Sequence, residues 1–234
     1  MSESGSRLYD DPALAAAYAR VSAANTMNAA YERPALRALL GEVAGRDVLD
    51  AGCAGGEHAA WLVEHGARVV ALDASAAMVD LARERVGTAA QVVQADLGAP
   101  LPFADASFDL VASSLTLHYL ADWNAPLREL ARVLRPGGRL VFSTHHPLLT
   151  VDDAHDYRAV RLVDDVWPGF AAEPVPVRFY HRSLERIVGD VLAAGFTLHA
   201  LVEPGPSERM AERDPAMAAR LRTQPWFLLV DASR

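Results

Sequence analysis

Short apolar runs alternate with helical patterns along the chain from residue 47 onward. Seven of these runs are predicted strands, at residues 47–51, 68–73, 91–95, 108–115, 139–144, 196–202 and 226–231. Residues 69–72 are apolar without a break, which is typical of a strand that is covered on both faces. The alternation predicts an α/β fold with a mostly parallel sheet and helices on both faces.

Capping residues indicate where several of the predicted helices begin and end. Ser75 and Ser183 each precede a stretch whose apolar residues fall at helical spacing. Asp214 is followed by a proline, which suits the first turn of a late helix. The Pro-Gly-Gly run at 136–138 is predicted to stop the helix that follows Asn124.

Two segments lie outside this alternation. Residues 1–44 contain two predicted helices, and we expect them to form an N-terminal helical lid on a domain that spans 45–234. Residues 147–182 form a long connection, and such connections are usually lids, binding loops or small added elements. We hypothesise that both segments close over the site from the substrate side and exclude water, with Tyr18 and Tyr31 in the N-terminal part.

Composition and charge narrow the class of protein. The chain is 51% apolar and 22% charged, which is the balance of a globular protein. All 22 basic residues are arginine, so chemistry that needs a lysine Schiff base or a phosphate-loop lysine is excluded. The net charge of −8 disfavours binding to nucleic acid through its phosphates.

The apolar runs and the cysteine count indicate the cellular compartment of the protein. No run approaches the roughly 20 apolar residues that a membrane helix needs. The first ten residues are polar with Arg7 as their one basic residue, which is unlike a secretory signal. The single cysteine cannot form an internal disulfide. We therefore expect a cytoplasmic protein with no membrane partner.

A glycine-rich turn follows the first predicted strand and carries the clearest candidate chemistry. Residues 48–56 are Val-Leu-Asp-Ala-Gly-Cys-Ala-Gly-Gly, and the glycines let a ligand approach the backbone. The next helix points its N-terminal amides at this turn, which suits a carboxylate or a phosphate. Asp73 ends the second strand, 21 residues beyond Gly52, where an acid can accept hydrogen bonds from both hydroxyls of a ribose. A nucleoside with an anionic tail therefore fits this end of the sheet.

The spacing of the glycines argues against a dinucleotide. A dinucleotide-binding turn has the pattern G-x-G-x-x-G. Here Ala54 stands at the second glycine and Glu57 at the last. A pyrophosphate would meet a methyl group and a carboxylate at these positions. A nicotinamide oxidoreductase is therefore the disfavoured alternative.

Five ordered motifs resemble those of the class I S-adenosylmethionine-dependent methyltransferases, in their methyltransferase-11 branch. The motifs are residues 48–56, residues 71–73, Gln94-Ala95-Asp96, Leu101-Pro102-Phe103 with Ser107-Phe108-Asp109, and Leu134-Arg135-Pro136-Gly137-Gly138. The likeness covers residues 30–145, about half of the chain. It implies a Rossmann-like seven-stranded sheet whose last strand is antiparallel, and S-adenosylmethionine as the cosubstrate.

The resemblance also implies roles for individual residues. The loop from Gly52 to Gly56 would face the methionine part of the cosubstrate, with Ser113 beside it. Asp73 would hold the ribose, and Asp96 with the backbone of Leu97 would meet the adenine amino group. The full set of candidate cosubstrate-binding residues is Tyr18, Tyr31, Asp50, Gly52, Cys53, Ala54, Gly56, Asp73, Ala74, Asp96, Leu97 and Ser113.

Some of these residues have structural alternatives. The carboxylate of Asp50 could organise the amides of its own loop, and Asp96 could cap the turn that follows it. Cys53 has no candidate base partner in the sequence, so we do not expect a nucleophile there. These alternatives stay open at the level of sequence.

Three histidines lie at or just past predicted strand ends, where open α/β sheets place their ligands. They are His118, His145 and His146, and each could serve only as a structural hydrogen-bonding residue. His145 and His146 are the candidates for a general base, because they follow the fifth predicted strand and an imidazole has a pKa near neutral pH. No H-x-x-x-H pattern or cysteine cluster is present, so we expect no metal site.

The predicted function is transfer of a methyl group from S-adenosylmethionine to a small-molecule acceptor, by in-line displacement that releases S-adenosylhomocysteine. A weaker likeness to a small-molecule subset lies at His146-Pro147, Tyr180-His181-Arg182, Ala194-Gly195-Phe196 and Glu203-Pro204. The alternatives are a non-catalytic sensor of S-adenosylmethionine and a methyltransferase that acts on RNA or protein. The acidic charge counts against RNA. The sequence identifies neither the acceptor nor the oligomeric state.

Overall fold

The apolar runs of the sequence form the strands of the structure, and the amphipathic stretches form its helices. A computed structural model describes residues 5–167 and 174–234. Within these ranges the elements are α1 (Pro12–Ala24), α2 (Arg33–Leu40), β1 (Asp47–Ala51), α3 (Glu57–Glu64), β2 (Arg68–Asp73), α4 (Ala76–Val86), β3 (Gln91–Gln94), β4 (Phe108–Ser113), α5 (Asn124–Val133), β5 (Leu134–His145), β6 (Arg161–Trp167), β7 (Val175–His181), α6 (Leu184–Ala193), β8 (Thr197–Val202), α7 (Glu208–Arg213), α8 (Pro215–Leu221) and β9 (Phe227–Ser233). None of the described helices is long and apolar enough to cross a membrane.

The seven strands predicted from the sequence form one sheet, in the order β3-β2-β1-β4-β5-β9-β8. Strands β1 to β5 run parallel to one another, and β9 is antiparallel to both β5 and β8. This confirms the prediction of a Rossmann-like, mostly parallel sheet whose last strand is antiparallel. The strand order reverses between β1 and β4, which leaves a crevice at the carboxyl ends of these two strands.

The fifth strand starts earlier than predicted. Helix α5 ends at Val133 and β5 begins at Leu134, so the Pro-Gly-Gly run lies inside the strand and does not stop the helix. Leu134 pairs with Phe108, and the register shifts before regular pairing resumes at Arg139. The glycines allow this irregular stretch, because Gly137 has a φ of +76°.

The predicted helix caps are present. Ser75, Ser183 and Asp214 each accept a hydrogen bond from the backbone amide three residues further along. These bonds satisfy amide groups that the first turn of a helix leaves without a partner. The caps of α4, α6 and α8 are therefore readable from the sequence.

Apolar side chains cover both faces of the sheet. Val48 belongs to a core that includes residues of α2, α3, α4, α7 and α8. Its neighbour Leu49 points the other way, into a core with α5 and α6. Burial of such a side chain contributes roughly 1.5–3 kcal/mol. Since α2 shares a core with the sheet, the predicted lid of residues 1–44 is anchored to the predicted domain of 45–234.

A third cluster joins the segments that lie outside the α/β alternation. It contains Tyr9, Ala15, Met78, Tyr119 and Phe179. Phe179 comes from an antiparallel hairpin of β6 and β7, which the sequence pattern did not predict within the 147–182 connection. Residues 168–173 of that connection lie outside the described residues. The N-terminal segment and the hairpin therefore meet over the turn that follows β4.

Arg139 connects the N-terminal helices to the sheet, and replacing it should destabilise the protein. It pairs with Asp231 at 2.9 Å and donates to the carbonyls of Leu39 and Leu40 at the end of α2. Because these are charge-assisted bonds, Arg139→Gln should lower the free energy of unfolding by about 1–3 kcal/mol. Arg158→Gln is the control, because that exposed side chain lies 3.9 Å from its partner. Equal urea midpoints for the two variants would contradict this role.

Candidate active site

Two adjoining pockets lie at the carboxyl ends of β1, β2 and β4. Both are lined by Tyr18, Gly52, Ala54, Ser114 and Leu115. They are therefore two ends of one cleft.

Most of the predicted cosubstrate residues line this cleft. They are Tyr18, Asp50, Gly52, Cys53, Ala54, Asp73, Ala74, Asp96 and Leu97. Asp73 and Asp96 line the first pocket, and Asp50 lines the second. The two candidate nucleoside residues, Asp73 and Asp96, therefore lie at one end of the cleft and Asp50 at the other.

The glycine-rich loop has a backbone geometry that few residues allow. Gly52 has a φ of +85°, and its amide and that of Cys53 donate to the Leu72 carbonyl at 2.9 and 2.8 Å. A Cβ at Gly52 would lie 2.3 Å from the methyl group of Thr116. Ala54 also has a positive φ, +46°, which is a strained conformation for alanine. The alanine therefore keeps a glycine-like backbone while adding a methyl group to the cleft.

Asp73 links this loop to the end of β2. Its Oδ2 atom accepts a hydrogen bond from the Ala54 amide at 2.9 Å, and Oδ1 accepts one from the Ser75 amide at 3.0 Å. Burial raises the pKa of the Asp73 carboxyl, and these amide bonds oppose the shift. The carboxylate is thus fixed in direction at the wall of the first pocket.

Asp96 organises the turn that follows it and also lines the first pocket. Its Oδ1 atom accepts a hydrogen bond from the Gly98 amide at 2.8 Å, so the carboxylate organises the turn that follows it. The same side chain is exposed and lines the first pocket beside Leu97. The turn therefore presents the acid to the cleft.

Asp50 and His58 form a buried polar pair against the second pocket. His58 Nδ1 lies 3.6 Å from Asp50 Oδ1, which is too far for a hydrogen bond. Among the described residues, neither carboxylate oxygen of Asp50 and neither ring nitrogen of His58 has a hydrogen-bond partner. Within that part of the chain, Asp50 does not organise its own loop. A buried carboxylate without donors is costly, so the site favours a ligand group that carries N–H donors.

Charged side chains of both signs line the second pocket. Arg33 Nη1 lies 3.9 Å from Glu57 Oε2, and Glu57 also pairs with Arg85. Arg85 in turn donates to the Gly55 carbonyl at 2.6 Å. A carboxylate and an ammonium group can therefore both find a counter-charge here.

Cys53 does not have the environment of a nucleophile. Burial raises the pKa of its thiol well above the usual range, and the charges of Asp50 and Asp73 raise it further. The thiol therefore stays protonated at neutral pH. Over residues 5–167 and 174–234, no group of three or more His, Cys, Asp or Glu side chains could hold a metal ion.

Three predicted cosubstrate residues lie outside both pockets. Gly56 begins α3, and a Cβ there would lie 3.0 Å from the backbone of α4. Ser113 donates its hydroxyl proton to the carbonyl at the end of β1, at 2.7 Å. Tyr31 stacks on Phe227 with ring centroids 5.3 Å apart. These residues support the packing around the cleft, and Ser114 lines the cleft where Ser113 does not.

The two candidate bases have different surroundings. His146 Nδ1 accepts a hydrogen bond from the Leu148 amide at 3.1 Å, and Nε2 lies 2.8 Å from Glu203 Oε1. Nε2 therefore carries the proton, and both ring nitrogens serve the local loop. His145 instead stacks on His118 with ring centroids 3.9 Å apart. Neither His145 nor His146 lines the two pockets.

Glu32 is a buried polar residue that the sequence analysis did not single out. Its Oε1 atom accepts hydrogen bonds from Ser114 at 2.9 Å and from Ser143 at 2.5 Å. The Oε2 atom has no hydrogen-bond partner among the residues that the structure describes. The two serines lie 82 and 111 residues away along the chain, so no local pattern indicates this contact.

Known proteins share this fold and this cleft region. The profile of the Methyltransferase domain family matches residues 49–142. Malonyl-[acyl-carrier protein] O-methyltransferase of Enterobacter lignolyticus (strain SCF1) is 34% identical over 198 residues, which are 83% of this chain and 74% of that protein. The enzyme of the same name from Serratia marcescens is 38% identical over 135 residues, 56% of this chain and only 52% of that protein.

A solved structure extends the comparison to nearly the whole fold. The crystal structure of an S-adenosylmethionine dependent methyltransferase from Mesorhizobium loti superposes with a TM-score of 0.72 at 32% identity. The match covers 87% of this chain and 97% of that one. The chain therefore belongs to the class I S-adenosylmethionine-dependent methyltransferases. It is an enzyme of that class, and S-adenosylmethionine is its cosubstrate.

The contact of Gly52 with Thr116 makes a sharp test of the loop. Gly52→Ala places a methyl group 2.3 Å from Thr116, so the loop must shift and S-adenosylhomocysteine should bind roughly tenfold more weakly or worse. Gly45→Ala is the matched control, because Gly45 has a φ of +71° and no described atom lies within 4 Å of its Cβ. Equal affinities of the two variants by calorimetry would show that the loop tolerates a side chain at position 52.

The two stacked histidines should make stability depend on pH. Burial lowers the pKa of His145 to about 4 and the pKa of His118 well below its usual value of 6.5. Below about pH 6.5 the unfolded chain therefore binds protons that the folded chain does not. The free energy of unfolding should fall from pH 7 to pH 5, by up to about 1.4 kcal/mol per pH unit for each group. Urea unfolding at pH 7, 6 and 5 measures this slope.

Variants separate these histidines from the other titrating groups. His145→Phe should flatten the slope, since it removes one of the two buried imidazoles. His65→Phe is the control, because His65 is exposed after the end of α3. A slope that is the same in wild type and His145→Phe would rule out this histidine as its source.

Proposed function

We propose that the enzyme methylates a small-molecule acceptor by in-line displacement, with release of S-adenosylhomocysteine. The observation that carries the proposal is the two-ended cleft, which joins a pocket lined by Asp73 and Asp96 to a pocket with charges of both signs. The bound cosubstrate supplies an electrophilic methyl group on a sulfonium. The chain has to hold the acceptor in line with the breaking bond and exclude water.

The residues of the cleft suit the two ends of the cosubstrate. Asp73 offers a carboxylate to the ribose hydroxyls, and Asp96 and Leu97 lie where the adenine would be. At the other end, Arg33 can hold the methionine carboxylate and Asp50 can accept from its ammonium group. This arrangement would also satisfy the Asp50 oxygens that lack a partner among the described residues.

The cover over the cleft and the charge of the chain favour a small acceptor. Tyr9, Tyr119 and Phe179 are buried in the third cluster, which lies beside the first pocket. A covered site excludes water and leaves little room for a polymer. The net charge of −8 also disfavours RNA. We keep the hypothesis that α1 and the N-terminal segment act as a lid, with Tyr18 as the residue that lines the cleft.

Of the two candidate bases, His145 is the better proposal. Its Nδ1 atom is buried without a hydrogen-bond partner among the described residues, whereas both nitrogens of His146 are engaged. A pKa of about 4 keeps His145 unprotonated at neutral pH, although it is then a weak base. The acceptor proton becomes more acidic as the methyl bond forms, so a weak base can take it at that stage.

The ribose contact tests the orientation of the cosubstrate. Asp73→Asn removes the charge from bonds to the ribose hydroxyls, so S-adenosylhomocysteine should bind about 10- to 100-fold more weakly. Asp80→Asn is the control, because that side chain is 76% exposed on α4. Calorimetry measures both variants, with circular dichroism to verify that each is folded. An unchanged affinity in Asp73→Asn would reject the proposed orientation.

Transfer of labelled methyl groups tests the reaction itself. The enzyme is incubated with methyl-labelled S-adenosylmethionine and fractionated small molecules, and with a malonyl-loaded acyl carrier protein as a second arm. Label in a small molecule supports the proposal. Label in the carrier protein alone would assign the acceptor named for the two relatives. Binding of S-adenosylmethionine without release of S-adenosylhomocysteine in any arm would indicate a sensor.

A further inference from the structure

Two stacked imidazole rings lie between the cleft and the hairpin. His118 follows β4 and His145 ends β5, and their ring planes are 12° apart. The ring of Tyr119, which lines the first pocket, lies 4.4 Å from that of His118. We call His118 and His145 the histidine pair. Neither histidine lines the two pockets, and the ring of Tyr119 lies between the pair and the first pocket.

The histidine pair has unused hydrogen-bonding capacity. His118 is only 2% exposed, and neither of its ring nitrogens has a hydrogen-bond partner in the described part of the chain. The same holds for His145 Nδ1. A buried polar atom left without a partner destabilises the folded protein. Three such atoms in one place indicate a site that a ligand completes.

Flat apolar rings surround the histidine pair. Phe179 of β7 meets both rings edge-on, at centroid distances of 5.9 Å from His118 and 4.4 Å from His145. Trp167 and Phe227 lie 5.9 and 6.1 Å from the ring of His145. Walls of this kind favour a planar guest over a flexible chain.

Two charged side chains act on the histidine pair. Burial lowers the pKa of both histidines; the charges of His145 and Arg182 lower that of His118 further, and the charge of Asp165 opposes the shift of His145. The Arg182 guanidinium donates to the carbonyls of Leu120 and Ala121, and lies over the ring of Trp123. The histidines therefore present neutral imidazoles, each of which has one N–H donor and one acceptor nitrogen.

We propose that the histidine pair forms the floor of the acceptor site, and that the acceptor is a neutral, planar ring compound with a hydroxyl or amino group. The inference rests on the proposed function and names its substrate class. A hydroxyl both donates and accepts, so it matches neutral imidazoles. A carboxylate only accepts, and would face the lone pairs of the unprotonated nitrogens.

A matched pair of probes tests this inference. 2-Naphthol is planar and neutral at pH 7, and 2-naphthoate has the same ring with a carboxylate. Each is titrated into the full chain saturated with S-adenosylhomocysteine, with calorimetry for affinity and nitrogen-15 shifts of labelled histidines for location. We expect 2-naphthol to bind at least tenfold more tightly than 2-naphthoate and to shift the resonances of His118 and His145.

Variants identify the atoms that make the contact. His118→Phe and His145→Phe keep a flat ring but remove the nitrogens, so each should weaken 2-naphthol binding at least fivefold. Affinity for S-adenosylhomocysteine should stay within twofold, which shows that the fold is intact. His65→Phe, at an exposed site after α3, should change neither affinity.

Several results would overturn the inference. Tighter binding of 2-naphthoate would assign an anionic acceptor, and unchanged histidine shifts on adding 2-naphthol would place the acceptor elsewhere. Wild-type affinity for 2-naphthol in both Phe variants would show that the nitrogens make no contact. If the wild type bound S-adenosylhomocysteine but neither probe, this inference would fail while the proposed function stood. If it did not bind S-adenosylhomocysteine, both would fail.

Discussion

The hydrogen bond from the Ala54 amide to Asp73 Oδ2 holds the cleft together, because it joins the loop after β1 to the end of β2. The loop also donates two amides to the Leu72 carbonyl, so its path is set by the neighbouring strand. Of these bonds, the one to Asp73 holds the strained backbone of Ala54 directly. The reversal of strand order between β1 and β4 then opens the crevice beside the loop. The same carboxylate therefore shapes the loop and lines the first pocket.

The central strands of the sheet, such as β1, β4 and β9, could be predicted because they are buried on both faces and appear in the sequence as mostly apolar runs. The hairpin of β6 and β7 was missed for the opposite reason. In β7 only alternate residues are buried, and Pro176 and Arg178 stand between Val175, Val177 and Phe179. A half-exposed strand that contains a proline is typical of a sheet edge and is hard to distinguish from a loop. The early start of β5 was hidden by glycines that resemble a helix stop but instead form an irregular strand.

In the site, too, residues with a local sequence pattern could be predicted and residues without one could not. Asp73, Gly52 and Ala54 could be found from the sequence because their role depends on local backbone geometry after a strand. The hydroxyl of Ser113 is bonded to the carbonyl of Ala51, and the next residue, Ser114, lines the cleft, so its role beside the methionine part stays a prediction. Glu32 could not be found at all, because its partners are brought to it by the packing of the N-terminal helices on β4 and β5. Contacts between side chains that are far apart in the sequence can be identified only when the fold is known.

Ser75 connects three parts of the molecule. Its amide donates to Asp73, its hydroxyl caps α4, and the same hydroxyl donates to the carbonyl of Tyr9 at 2.5 Å. If the ribose binds Asp73 as proposed, it also acts on Ser75, which holds the N-terminal segment through the carbonyl of Tyr9. Such coupling is reciprocal. If binding of the sugar stabilises the N-terminal segment by a given free energy, ordering of that segment strengthens sugar binding by the same amount. Dissociation of S-adenosylhomocysteine and detachment of the segment around Tyr9 would then report on the same equilibrium.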